Sequence, residues 1–483
     1  MMRKFYIETV GCQMNTLDSE LAAACLASAG YERSKSQRGA DILVFNTCSV
    51  REHAEEKIYS ALGRLKHWKE RHANGVIGVM GCMAQKDRET IFRRAPHVEL
   101  VVGPGQIDRL PELLEKIAQG ETPQIAVSRD RFKRETTARA VRESFRRYDP
   151  VRLSEFRSSR YQAMVRIMFG CDKFCSYCIV PKTRGPEQSR PAADIIREVA
   201  TLVSQGCREV TLLGQTVNSY RYQEGERSVA LADLLERLDA IDGLARVRFV
   251  SSYPTAMTDA LLQAVRDLPS AMPYLHVPAQ HGADSVLKRM RRRYTSAYYR
   301  ELVERIYETI PGAAITSDFI VGFCGETEEE FEQTADLIRF ARFKNSYIFK
   351  YSPRAGTKSF EEYADDVPES VKRRRNNALL DVQTEVSAVS SAAMVGQTVE
   401  ILVEGPSKTA RKASGLSLPI LGADGMADVR ADVQADQGGT VQMTGRTPCD
   451  RIVVFDGPVT LAGELVKVRL TTAAPFTLFG ELL

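Results

Sequence analysis

Short apolar runs alternating with amphipathic stretches fill the first 120 residues. Runs at 4–10, 41–47, 76–81 and 98–102 are rich in β-branched residues and lack polar alternation, as strands buried on both faces do. Between or after them, 18–29, 54–67 and 109–118 carry apolar residues at helical spacing. This βαβ order predicts a doubly wound α/β domain over residues 1–120, with ligands gathering outside the carboxyl ends of its strands.

Residues 121–160 are polar, Arg-rich and aperiodic, and read as a basic linker. A second series then begins, with strands expected at 163–169, 209–213, 246–251, 274–277, 314–321 and 346–351. Helices are expected at 192–205, 231–238, 259–268, 284–291, 298–309 and 327–342. Six strand–helix steps predict a (β/α)6 partial barrel whose active site lies at the C-terminal mouth of the strands. A helix at 371–394 closes this core, 161–393, and leads to an all-β module, 394–483. Strands at 397–403, 440–444, 451–455 and 464–470 with Gly and Pro turns predict a small β-barrel of the nucleic-acid-binding kind. A stretch rich in Gly, Ala and Asp at about 410–439 interrupts it as a long excursion between strands.

The chain's 483 residues call for several domains, and 43% hydrophobic with 27% charged residues is ordinary for a globular protein. No apolar run approaches the roughly 20 residues that span a bilayer. Met1-Met2-Arg3-Lys4 runs straight into the first strand, so no signal peptide or membrane is expected and a cytoplasmic location follows. Ten cysteines in such a protein read as ligands, reactive thiols or core residues, not a disulfide framework. The net charge of +4 is small, but basic residues cluster at 131–160, at 288–293 (K-R-M-R-R-R) and at 372–375 (K-R-R-R). Solvated helix faces and contacts to a phosphate-rich partner both remain open for them.

The cysteines narrow the chemistry. Cys12, Cys48 and Cys82 lie 36 and 34 residues apart, each after one of the first three strands, so all three converge on one sheet edge. Cys171, Cys175 and Cys178 form a C-x3-C-x2-C loop after the first barrel strand. Three thiolates suit an iron–sulfur cube with one iron open to a further ligand, because full ligation takes four. A zinc site would want a fourth His or Cys nearby, and a thioredoxin-like pair would leave Cys171 unexplained.

The C-x3-C-x2-C loop resembles the cluster loop of the radical S-adenosylmethionine (SAM) enzymes. E-T-V-G-C-Q-M-N, F-N-T-C-S-V-R-E, C-S-Y-C-I-V-P-K-T-R-G, E-V-T-L-L-G-Q-T-V-N-S-Y, H-V-P-A-Q-H-G, D-F-I-V-G-F-C-G-E-T and G-R-T-P-C-D-R follow in order. Together they resemble the radical SAM methylthiotransferases of the MiaB type over nearly the whole chain. That resemblance implies a cysteine-bearing N-terminal domain, a radical SAM core and a C-terminal TRAM barrel. It implies methylthiolation at C2 of isopentenyl-modified adenosine at tRNA position 37. It also implies two [4Fe–4S] clusters. The one on Cys171, Cys175 and Cys178 reduces SAM to a 5′-deoxyadenosyl radical, and an auxiliary one on Cys12, Cys48 and Cys82 supplies sulfur. Two SAM molecules serve each turnover, one as radical source and one as methyl donor. An inert aromatic C–H has no acidic proton for a general base, so no side chain is assigned as acid or base.

The resemblance further implies SAM contacts from Tyr177, Gly214, Gln215, Gln280, Asp318, Val321 and Gly322. The sequence departs from the family pattern at Cys324, at Ala355 and at His281-Gly282-Ala283. The implied partners are the anticodon stem-loop of tRNA, an electron donor such as flavodoxin or ferredoxin, and an iron–sulfur or sulfur delivery system, with a monomer expected. The alternatives are a threonylcarbamoyladenosine tRNA substrate, a ribosomal-protein aspartate, or a non-catalytic iron–sulfur RNA-binding protein.

Overall fold

The computed structural model describes residues 3–49, 52–128, 143, 145, 152–413 and 440–483. The first sheet contains β1 (Lys4–Val10), β2 (Glu32–Arg33), β3 (Ile42–Thr47), β4 (Val76–Gly81), β5 (Leu100–Val102) and β6 (Gln124–Ala126). All neighbours are parallel, in the order β2-β1-β3-β4-β5-β6. Helices cover both faces: Gln13–Ser28 (α1) and Leu110–Ala118 pack on one, Glu52–Arg64 and Lys66–Arg71 on the other. In this doubly wound sheet the strand order reverses between β1 and β3, and such a switch point opens a crevice at the strand ends.

The segment expected as a linker takes part in packing where it is described. Gln124–Ala126 adds the sixth strand, Phe145 and Phe156 are buried, and Arg152 is buried beside Glu20 and Glu198. The rest of 129–151 lies outside the described residues.

Two three-stranded parallel sheets form the partial barrel. One has the order β13-β10-β7: β13 (Arg246–Phe249), β10 (Glu209–Leu213) and β7 (Gln162–Arg166). The other runs β14-β15-β16: β14 (Tyr274–His276), β15 (Ala314–Val321) and β16 (Asn345–Lys350). An outer layer of helices covers them, and β8 (Met168–Phe169) with β9 (Gln188–Ser189) and the hairpin of β11 (Arg221–Glu224) and β12 (Arg227–Ala230) stand outside the expected pattern. Alternation along β15 separates the two faces. Ile315, Phe319 and Val321 pack under the helices, leaving Thr316, Asp318 and Ile320 to face the barrel interior.

The long helix Glu369–Ala392 leads to a closed barrel of five strands. These are β17 (Thr398–Pro406), β18 (Thr440–Arg446), β19 (Ile452–Pro458), β20 (Leu465–Ala474) and β21 (Thr477–Leu482), the last not anticipated. The expected excursion at 410–439 begins in the helix Lys408–Ala413, and 414–439 lies outside the described residues.

The turn between β18 and β19 enters the N-terminal end of the partial barrel. There Arg246 donates to the Arg446 carbonyl at 2.6 Å, and Arg248 donates to the carbonyls of Pro448 and Thr447 at 2.8 and 2.9 Å. Lys344, just before β16, pairs with Asp450 at 2.7 Å. The small barrel therefore stoppers the end of the core opposite the expected mouth.

Candidate active site

Cys12 caps α1 at the end of β1, and Cys48 follows β3, so these two thiols flank the switch point. Cys82, after β4, is the first residue of a short helix, Cys82–Asp87. Asn15 reaches back from the first turn of α1, its Oδ1 accepting from the Cys12 amide at 3.4 Å and from its thiol at 3.2 Å. Asn46 on β3 accepts from Asn15 Nδ2 at 3.0 Å and fixes that amide in turn.

The second trio leaves β8 through Gly170, whose φ of +82° and contact with the Pro186 carbonyl exclude a side chain. The Cys171 thiol lies 3.3 Å from Thr216 Oγ1. Ser176 ties the loop to the carbonyls of Met290 and Arg289 at 3.0 and 2.8 Å. Arg292 donates to Cys175 Sγ at 3.3 Å and to the Pro278 carbonyl at 3.0 Å, with its guanidinium over Tyr253 and Tyr294.

Arg184, in the helix that follows this loop, joins the two trios. It donates to Asp18 on α1 at 2.7 Å. Burial opposes its charge, but Asp18 and the nearby Cys82 and Cys12 outweigh that and hold it firmly protonated. Met14 and Leu17 of α1 meanwhile share a buried cluster with Met164 and Leu213 of the barrel. The N-terminal domain thus lies against the core with its cysteine edge toward the cysteine loop.

The remaining expected residues separate into groups. Gln215 accepts from the Gly170 amide at 2.6 Å and steadies the start of the loop. Gly214 abuts Met168, where an added Cβ would stand 2.5 Å from the side chain. Tyr177 packs beside Ala283, Val286, Met290 and Phe323. Gln280 holds a left-handed φ of +71° and bridges to Phe319 through its backbone, a strained residue at the mouth. Val321 is buried beneath the helices, and the Gly322 amide donates to Glu326. His281 is fully enclosed and bonded to Glu326 at 2.8 Å, a structural position. Asp318 accepts from His276 Nε2 at 3.1 Å.

Sequence reasoning missed Arg292 and Asp18 as parts of this site. Asp18 leaves a trace, because it falls on the apolar stripe of α1 with Met14, Leu17 and Leu21. Arg292 leaves none within its basic run. That run and the next are largely consumed internally: Arg289 pairs with Glu330, Arg291 with Glu362, Lys372 with Asp365, and Arg374 and Arg375 with Glu328.

The chain matches three families: residues 4–103 the "Uncharacterized protein family UPF0004", 165–338 the radical SAM superfamily, and 430–483 the TRAM domain. A protein of Rhodopirellula baltica named tRNA-2-methylthio-N(6)-dimethylallyladenosine synthase is 52% identical over 481 residues, covering 100% of this chain and 96% of that protein. The chain belongs to the tRNA-2-methylthio-N(6)-dimethylallyladenosine synthase family. A member of the same name from Delftia acidovorans is 41% identical, covering 100% of this chain and 99% of its own. Among solved structures, the radical S-adenosylmethionine methyltransferase TsrM from Kitasatospora setae aligns with a TM-score of 0.53 at 15% identity, over 74% of this chain and 77% of that one. That likeness concerns the fold. Membership of this synthase family makes the chain a radical SAM enzyme with an iron–sulfur cluster and SAM, acting on tRNA.

The cysteines present fit such a group. Burial pushes the thiols of Cys171, Cys178 and Cys82 up, so each needs a nearby positive charge to become a thiolate ligand, which iron supplies. Cys12 is instead lowered to about 6, chiefly by a hydrogen bond with Cys48 and with help from Arg184. Among the described residues no three His, Cys, Asp or Glu side chains are arranged to hold a single ion. A four-iron cube is a larger object whose corner thiolates stand further apart.

Proposed function

We propose that this chain methylthiolates C2 of isopentenyl-modified adenosine at position 37 of tRNA. The observation that carries this reading is Arg184, which follows the cysteine loop yet binds Asp18 and lies within electrostatic reach of Cys12 and Cys82. Both cysteine trios can thereby serve one pocket.

In this reading Cys171, Cys175 and Cys178 hold one [4Fe–4S] cluster and Cys12, Cys48 and Cys82 a second, with two SAM molecules used per turnover. When bound, the clusters and SAM supply the radical and sulfur chemistry that an inert C–H requires. The protein's own residues do the positioning. Arg292 fixes the direction of Cys175 through its fork, while Thr216 does the same for Cys171. Asn15 and Asn46 hold Cys12 at the switch point. Tyr177, Gly214, Gln215 and Gln280 surround the loop as candidate SAM contacts, with Val321 and Gly322 shaping the strand end behind them.

The division into 1–120, 121–160, 161–393 and 394–483, a monomeric state and a cytoplasmic location belong to the same proposal. So do an electron donor such as flavodoxin or ferredoxin and a sulfur delivery system. Among the described residues no helix is long and apolar enough to cross a membrane.

The test is expression in a bacterial host lacking its own tRNA methylthiotransferases, followed by nucleoside mass spectrometry of its tRNA. The expected result is 2-methylthio-isopentenyladenosine, lost in Cys175→Ala. Unmodified isopentenyladenosine beside reductive SAM cleavage by the purified protein would reject the substrate and keep the chemistry.

A further inference from the structure

Two places at which the sequence departs from the family pattern, His281 and Cys324, meet at one turn. The turn spans residues 322–326, between β15 and the helix Glu328–Ala341. Its Glu326 side chain is 0% exposed and is held from three directions. His281, beyond the end of β14, donates from Nε2 to Glu326 Oε1 at 2.8 Å. The Gly322 amide donates to Glu326 Oε2. Arg375, on the long helix Glu369–Ala392, donates to that same oxygen at 2.7 Å and to the Glu326 carbonyl at 3.0 Å.

The Ala283 amide donates to His281 Nδ1 at 3.0 Å, so Nε2 carries the hydrogen that Glu326 accepts. The carboxylate thus gathers an imidazole, a backbone amide and a guanidinium. A charge this deep gains little net stability from its partner, because desolvation offsets the attraction. What the set provides is geometry. Lys372, one turn before Arg375, closes the same turn: a Cβ on Gly322 would stand 2.3 Å from its Cγ, and φ at Gly322 is +68°. Gln280 is fixed alongside. At a φ of +71° its amide donates to the Asp318 carbonyl at 2.8 Å, and its carbonyl accepts from Ile320 at 2.9 Å. Two residues on, the Gly282 amide donates to Thr334 Oγ1 at 3.0 Å. A side chain larger than glycine holds the left-handed region only when its neighbours enforce it.

We infer that His281 and Arg375 are positioning residues for SAM, acting through Glu326 on Gln280 and Gly322. The inference rests on the reading of Gln280 and Gly322 at the SAM site and adds what holds them there. His281 follows Gln280 in the chain, so its bond to Glu326 ties that strained residue to the turn at Gly322. Arg375 fixes the carboxylate from the outer helix and so sets the separation of two strand ends that serve one ligand. SAM then meets an edge formed in advance. His281 and Arg375 are themselves 1% and 4% exposed, so they act through this edge and not by contact.

The experiment uses the full chain reconstituted anaerobically with iron and sulfide. SAM affinity is measured by equilibrium binding and, independently, by the change SAM makes in the paramagnetic spectrum of the reduced protein. His281→Ala should weaken SAM about ten-fold or more while iron content stays at the wild-type level. His281→Gln, whose side-chain amide still donates toward Glu326, should return affinity to within about three-fold of wild type. Arg375→Lys keeps the buried charge but gives up the fork, and should weaken SAM about three- to ten-fold. It carries the test if His281→Ala does not fold. Gln280→Ala probes the reading beneath the inference and should also weaken SAM. A loss in Gln280→Ala with full affinity in the His281 and Arg375 variants would overturn this inference alone. So would a His281→Gln protein as weak as His281→Ala, because ring packing would then explain the effect. Full affinity in Gln280→Ala would overturn the contact reading and this inference with it.

Discussion

Arg184 and Asp18 form an ion pair at 2.7 Å whose side chains are only 3% and 0% exposed, and it bridges two domains. Arg166 stands 3.6 Å from the other Asp18 oxygen. So deep a charge costs desolvation free energy that its partners must offset, and the pair contributes registry more than net stability. It sets how the N-terminal cysteine edge meets the barrel.

Removing one member should therefore harm more than removing both. Arg184→Met leaves a buried carboxylate short of a partner, at a cost of about 3–5 kcal/mol. Asp18→Leu with Arg184→Met should recover part of that, seen as a higher thermal midpoint than in Arg184→Met alone. Additive losses in the double variant would mean that the two side chains act independently.

The Cys175 thiol depends on Arg292, which touches it at 3.3 Å while its other nitrogens hold Tyr294 and the Pro278 carbonyl. Lysine keeps the charge but not the planar fork. Arg292→Lys is expected to lower reductive SAM cleavage about ten-fold or more and to alter the cluster's paramagnetic spectrum, with the fold intact by circular dichroism. Wild-type spectra and rates would reduce Arg292 to a packing residue.

Much of this architecture was legible beforehand, for a physical reason. β4 matches its expected limits because a strand buried on both faces must be apolar throughout, and β1, β10 and β15 match theirs although Glu8, Glu209 and Asp318 interrupt them. β6 escaped notice, since three residues within a polar stretch carry no periodicity, and the turn-poor C-terminal stretch hid β21. The cysteine trios were visible through spacing. Arg292, which supports Cys175, was not, because a partner so far away in the chain leaves no local pattern. For the same reason, the runs at 288–293 and 372–375, weighed as phosphate contacts, became mostly internal ion pairs, while most of the run at 131–160 lies outside the described residues.

Cys48 separates the two cysteine sets. It is 1% exposed at the switch point and distant in sequence from the loop at Cys171. Cys48→Ala should lower bound iron and sulfide by about half, leave 5′-deoxyadenosine formation in place and abolish the methylthio product. Continued product formation would remove the N-terminal trio from the reaction.

The stopper at the base of the barrel changes the reading of the C-terminal module. Deleting it would expose Arg246, Arg248 and Lys344, whose present partners include the 446–450 backbone and Asp450. Such a truncation would unsettle the core as well as any grip on RNA. Asp450→Ala is the cleaner probe. It leaves Lys344 buried without its carboxylate and should lower the thermal midpoint by several degrees while RNA affinity stays within about two-fold. An unchanged midpoint would show the docking to be superficial.

The basic runs can now be resolved residue by residue. Lys288, Arg293 and Arg373 are exposed and have no ion-pair partner among the described residues, whereas Arg374 is held by Glu328 at 2.7 Å. A phosphate contact releases condensed counterions, so losing one lowers the salt dependence of binding by about 0.7–0.9 in log–log slope. Lys288→Ala and Arg373→Ala should each weaken tRNA binding with that change in slope. Arg374→Ala should leave the slope unchanged, because its charge is already neutralised within the protein. Equal effects from all three would mean that RNA contacts displace the internal pairs, and binding would then depend on Glu328→Gln as well.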